Sequence, residues 1–95
     1  MKVQTFAGAI NNHDKYGVRG NFRAEDGSIL ENFGVSNTAF EDGVPPLKTL
    51  VVVRISTSNS GKAKFAARAF TEDELEELAE LPEEDLQGWL KTLEV

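Results

Sequence analysis

At Phe70-Thr71 the chain changes period, and that change constrains the fold more than any other feature of the sequence. Before it, apolar side chains recur at every second residue, the spacing of strands that bury one face. After it they recur at every third or fourth residue, the spacing of an amphipathic helix. A 95-residue chain is one domain, so both parts must share one modest core. The expected class is α+β: an antiparallel sheet of about five strands in two hairpins, followed by two short C-terminal helices packed on one sheet face. Residues 1–70 are the strand-rich body and 71–95 the helical tail.

Charge divides at the same point. Residues 1–70 carry nine Lys/Arg against six Asp/Glu, whereas 71–95 carry one lysine against ten acids. The net charge of −6 therefore joins a mildly basic body to a strongly acidic tail. The chain contains no cysteine, which removes disulfides, thiolate metal sites and cysteine nucleophiles. It shows neither a long apolar run nor a signal-like start, so a soluble, cytoplasmic protein is expected.

The body reads as strands separated by turn residues. Segment 2–10 is a short strand ended by the turn cluster Asn11-Asn12-His13-Asp14. In 16–24, Val18, Phe22 and Ala24 share one face and Arg19, Asn21 and Arg23 the other. A two-residue turn at Asp26-Gly27 pairs Ala24 with Ile29, Gly20 with Phe33 and Val18 with Val35. Glu31 is then an acid on an apolar face, without explanation. Residues 36–47 form a loop containing Glu41-Asp42-Gly43 and Pro45-Pro46. In 47–56, Leu50-Val51-Val52-Val53 is apolar on both faces, as in an interior strand. Closing the second hairpin from Ser56 to Lys62 pairs Arg54 with Lys64, Val53 with Phe65 and Val51 with Ala67. Phe65 should then be buried opposite Val53.

The tail carries the clearest local signal. Thr71 and Glu74 have the spacing of a capping box, and Phe70 and Leu75 that of a hydrophobic staple. Leu75, Leu78 and Leu81 make one stripe. Pro82 ends that helix and suits the first turn of another. Leu86, Trp89, Leu90 and Leu93 make a second stripe, weakened by Gly88. These stripes are expected to cover the apolar sheet face and to leave the basic face open.

No set of residues converges on catalysis or on a metal. His13 is the single histidine and sits in a turn cluster, too few ligands for a metal site. Gly61-Lys62 ends a serine-rich loop but leads into a strand, not the helix a phosphate loop requires. The adjacent acids of the tail fall at helix starts, where negative charge meets the helix dipole favourably. The expectation is a protein with no enzymatic activity and no cofactor.

Two surfaces are candidates for binding. The first is acidic: Glu72, Asp73, Glu74, Glu76, Glu77, Glu80, Glu83, Glu84 and Asp85 lie within 14 residues. Like charges at helical spacing add no stability, so their density suits a surface that meets a basic protein or a nucleoprotein complex. The second is basic: Arg19, Arg23, Arg54, Lys62, Lys64 and Arg68 on the uncovered side of the sheet, a face for nucleic acid. That face lacks aromatic stacking platforms, because Phe22, Phe33 and Phe65 are assigned to the core side. A strand apolar on both faces also admits a third role, a self-assembling or structural component such as a homodimer.

In size, charge and plan the chain resembles the small acidic inhibitors encoded by phages and mobile elements, anti-CRISPR proteins among them. The resemblance implies a short, non-catalytic protein that binds a host complex in the host cytoplasm. No residue motif carries it.

Overall fold

The computed structural model describes residues 2–24, 26–40, 43–90 and 93. Five strands, β1 Lys2–His13, β2 Gly17–Ala24, β3 Ile29–Ser36, β4 Leu50–Thr57 and β5 Ala63–Ala69, are followed by helix α1 Glu72–Glu80. A 3-10 turn, Glu83–Asp85, then leads into a single-turn helix, α2 Leu86–Leu90. The strands form one antiparallel sheet in the order β3-β2-β1-β4-β5. The tail is less helical than expected, since only α1 exceeds two turns.

The sheet coils until its two edges approach. Phe40, just beyond β3, makes a parallel bridge to Ala67 on β5, so the chain leaving one edge of the sheet reaches the other. On the concave side Phe33 of β3 stacks on Phe6 of β1 at 6.1 Å and meets Phe22 of β2 edge-on at 6.0 Å. β1 and β3 flank β2 and would stand about 9–10 Å apart in a flat sheet. The rings meet because the sheet curves around them. Val18, Val51, Val53 and Ala67 complete this interior, with Ala39 and Phe40 closing its gap. This is the connectivity of a five-stranded, partly open Greek-key barrel.

Glycines and bulges permit the coil. A Cβ on Gly8 would lie 2.0 Å from the Asn21 carbonyl oxygen, and one on Gly20 would lie 2.3 Å from that of Ala9. Only glycine allows strands to approach that closely. β1 shifts register between Ile10 and Asn12, so it bends and continues through His13. Asn11-Asn12-His13 is therefore strand, not turn; the turn is made by Asp14, whose Oδ1 accepts from the N–H groups of Tyr16 and Gly17. Bulges of this kind bend a strand without ending it.

Both hairpins differ in register from the sequence reading, for one reason. Each loop holds three residues, where two were expected at Asp26-Gly27 and five between Ser56 and Lys62: Ala24 N–H donates to Ser28 O, and Ser58 N–H to Lys62 O. Each loop closes on a glycine with positive φ, 91° at Gly27 and 85° at Gly61. In the first hairpin Val18 faces Val35 and Gly20 faces Phe33 as expected, but Ile29 lies opposite Arg23 instead of Ala24. A bulge opposite Asn21 puts Leu30 and Phe33 on the core side, which removes Glu31 from that face. Asn32 takes the strained position with φ 51° and donates its N–H to Asn21 Oδ1. In the second hairpin the pairs are Val51 with Ala69, Val53 with Ala67, Ile55 with Phe65 and Ser56 with Lys64. That two-residue slip keeps every side chain on its expected face. It also moves Phe65 to the rim of the interior, where it is 44% exposed.

The largest correction concerns the helices. They do not cover the main apolar face, because the coiled sheet buries that face by itself. They pack on the outside, where Phe70, Leu90 and Leu93 bury Val52 together with Ala7, Leu50, Leu78 and Trp89. This is why β4 is apolar on both faces: Val51 and Val53 point into the barrel and Val52 points to the helices, all three fully buried. Phe70 turns onto Trp89, 5.7 Å between rings, while Leu75 stays exposed in place of the expected staple.

Two substitutions separate this arrangement from the simpler register. Phe22→Ala should cost about 3–5 kcal/mol, since it empties the centre of the barrel, whereas Phe65→Ala should cost about 1 kcal/mol or less. Urea unfolding of both variants checks the order, and equal losses would place Phe65 inside.

Candidate interaction surfaces

Of the six basic residues expected on the open face, Arg19, Arg23, Arg54, Lys64 and Arg68 lie on the convex side of the sheet and Lys62 lies in the β4–β5 turn, but the fold does not leave them as one patch. Arg68 on β5 donates from both terminal nitrogens to the Glu74 carboxylate, at 2.6 and 2.9 Å. Arg54 on β4 is half-buried under the tail and donates from Nη2 to the Leu93 carbonyl at 3.4 Å. Arg19 on β2 donates from Nε to Asp14 Oδ2 and from Nη1 to the Asn32 carbonyl. Lys62 and Lys64 stay exposed at the β4–β5 turn and the start of β5. Arg23 is half-buried and has no charged or hydrogen-bonded partner among the described residues. The expected continuous basic face is thus interrupted, because the helices that were to cover the other side lie across it.

A second exposed group sits at the β1–β2 turn. Tyr16 is 70% exposed, with Lys15 Nζ 5.0 Å from its ring centre. The turn is held by Asp14, whose carboxyl lies below its usual range chiefly because it accepts the Tyr16 N–H. Sequence reasoning passed over Tyr16 because a lone aromatic beside a turn gives no periodic signal. Only the fold shows that it projects from the barrel end.

The acidic surface is more coherent. Thr71 caps α1 as expected: its hydroxyl accepts the Glu74 N–H, and Glu74 Oε1 accepts the Thr71 N–H. Because Glu74 also binds Arg68, one side chain caps the start of the helix and ties it to β5. The remaining acids are thereby held facing outward. Glu72, Asp73, Glu76, Glu77 and Glu80 of α1 are exposed, as are Glu84 and Asp85 in the following turn. Glu77 accepts a hydrogen bond from Trp89 Nε1 at 3.0 Å, which links α1 to α2. The side chain of Glu83 lies outside the described residues, as do Glu41 and Asp42. The described ion pairs are Arg19–Asp14 and Arg68–Glu74, so none of the seven exposed acids is neutralised by a described basic group.

No protein-family profile, no curated protein and no solved structure matches this chain. Among the described residues no helix is long and apolar enough to cross a membrane.

The Arg68–Glu74 contact sets a pH dependence. The two bonds from Arg68 are the main reason that the Glu74 carboxyl is lowered from 4.5 to about 2. A lowered carboxyl stabilises the fold above its unfolded pKa and loses that contribution as pH falls through the folded value. Glu74→Gln should therefore cost about 1–3 kcal/mol at pH 7. The gap from wild type should shrink between pH 4.5 and about 2. Thermal unfolding at stepped pH measures it, and a gap that stays constant with pH would separate Glu74 from this role.

Proposed function

We propose that this protein is a non-catalytic binding protein that docks a basic partner, a protein or nucleoprotein complex, on the acidic face of its helical tail. The observation that carries this reading is the set of seven exposed acids from Glu72 to Asp85, none with a basic partner among the described residues, five of them on a helix pinned by Glu74 to Arg68. Capping and the helix dipole use acids only in the first turn. Glu76, Glu77 and Glu80 lie beyond it. Exposed charge contributes little to folding; its main effects are on the rate and selectivity of encounter. An inhibitor of a host nucleoprotein, the role implied by the resemblance to small phage proteins, would use such a surface to compete for sites that otherwise hold phosphate. The setting would then be the cytoplasm of the host.

The test uses two baits, wild type and a variant with Glu72, Glu76, Glu80 and Glu84 changed to Gln. The variant should fold with equal or slightly higher thermal stability, because like-charge repulsion is relieved. From a nuclease-treated lysate of the source cell, wild type should retain a basic protein that the variant loses. Equal retention by a folded variant refutes the reading.

A second reading, nucleic-acid binding, draws on the exposed Tyr16 beside Lys15 and on the barrel plan. Partly open Greek-key barrels of five strands include oligonucleotide binders, although a fold does not decide its function. Lys15 and Tyr16 would anchor this surface at the β1–β2 end of the sheet, since Lys62 and Lys64 lie at the opposite end and Arg54 and Arg68 are occupied by the tail. If it operates, single-stranded DNA should bind with an affinity that falls steeply with salt, and Tyr16→Ala should weaken it by about tenfold. Absence of binding at low salt removes this reading.

A further inference from the structure

Between the convex sheet and the tail lies a groove of about 300 Å³, at the lower end of the range for small-molecule sites. Its walls are Leu50 on β4, Phe70, Leu78 on α1, and Leu86 and Trp89 near α2. The floor is formed by Ala7 and Gly8 of β1, residues too small to fill it. One charged side chain, Arg23, lines the same space. Arg23 is half-buried and has no counterion or hydrogen-bond acceptor among the described residues. Two acids of α1 are engaged elsewhere: Glu74 holds Arg68, and Glu77 holds Trp89 Nε1.

A guanidinium beside apolar walls and without a partner matches a planar carboxylate through two parallel N–H···O bonds. Apolar walls leading to one such group define the ligand. We infer that this groove binds a small apolar carboxylate, an alkyl or aryl acid of roughly ten non-hydrogen atoms by volume, with its chain on Leu50, Leu78, Leu86 and Trp89 and its carboxylate on Arg23. The site is independent of the acidic surface, which lies on the solvent side of α1. Bound ligand would also join β2 to the tail.

The chain contains one tryptophan, and it lines the groove, so its fluorescence reports occupancy directly. Octanoate, titrated below its micelle concentration, should change Trp89 emission saturably. Octanol and octylamine of the same length should bind about tenfold more weakly, because each lacks the charge that Arg23 pairs. Arg23→Gln should reduce octanoate affinity by about tenfold while leaving octanol unchanged. Arg23→Lys keeps the charge without the planar fork and should lie between. Backbone amide shifts at Ala7, Arg23 and Leu78 on adding octanoate give a second reading in the unmodified protein, should Arg23→Gln not fold. Equal affinity for octanoate and octanol, an Arg23→Gln variant that binds octanoate normally, or no saturable change would each overturn the assignment.

Discussion

Phe6, Phe22 and Phe33 can meet only if the sheet coils, and most other features of the molecule follow from that contact. Their strands are consecutive neighbours, so a flat sheet would leave the three rings in a row with one side open to water. Curvature turns that open side into an interior. Gly8 and Gly20 allow it, since any Cβ there would collide with a neighbouring carbonyl oxygen. The bulges at Asn11 and opposite Asn21 direct it. Phe40 completes it by reaching the far edge at Ala67.

Closing the sheet on itself changes the task of the C-terminal segment. With the interior sealed, the helices have no apolar face to cover except the strip Ala7, Leu50 and Val52 on the outside. They are short and shallow because that strip is narrow. α1 buries no residue completely and is held at its start by polar contacts. Thr71 and Glu74 cap it, and Arg68 fastens it to β5. The acidic helix and the basic strand therefore stabilise each other locally, and the charge left over is almost wholly negative and outward. The same placement leaves Arg23 beside apolar walls with no acid paired to it among the described residues.

The two candidate surfaces consequently differ in kind. The acidic face is exposed, repetitive and mounted on a fixed helix, which favours fast and salt-sensitive encounter with a large basic partner. The groove at Arg23 is small, mostly apolar and carries one charge, which favours a single ligand held by shape. Neither requires a catalytic group.

Much of this was legible in the chain. Alternation of apolar residues placed five strands, because each exposes opposite faces to different surroundings. The double-sided Leu50–Val53 run marked an interior strand. Thr71 with Glu74 marked the helix start, because capping is settled within four residues. The acidic tail was equally plain, and its described acidic side chains other than Glu74 face solvent as charge requires. What the local pattern could not decide was anything that depended on curvature. Alternation says that a face is buried but not whether another element or the sheet itself buries it, so the helices were assigned to the wrong side. Local composition does not distinguish a three-residue loop closed by Gly61 from the five-residue loop between Ser56 and Lys62, which is why Phe65 was paired two positions out of register. The breakup of the basic face by Arg68–Glu74 and Arg54–Leu93, and the groove at Arg23, arise from contacts between residues far apart in the chain or on different elements. Such contacts exist only once the barrel has closed and the tail has settled on its outer surface.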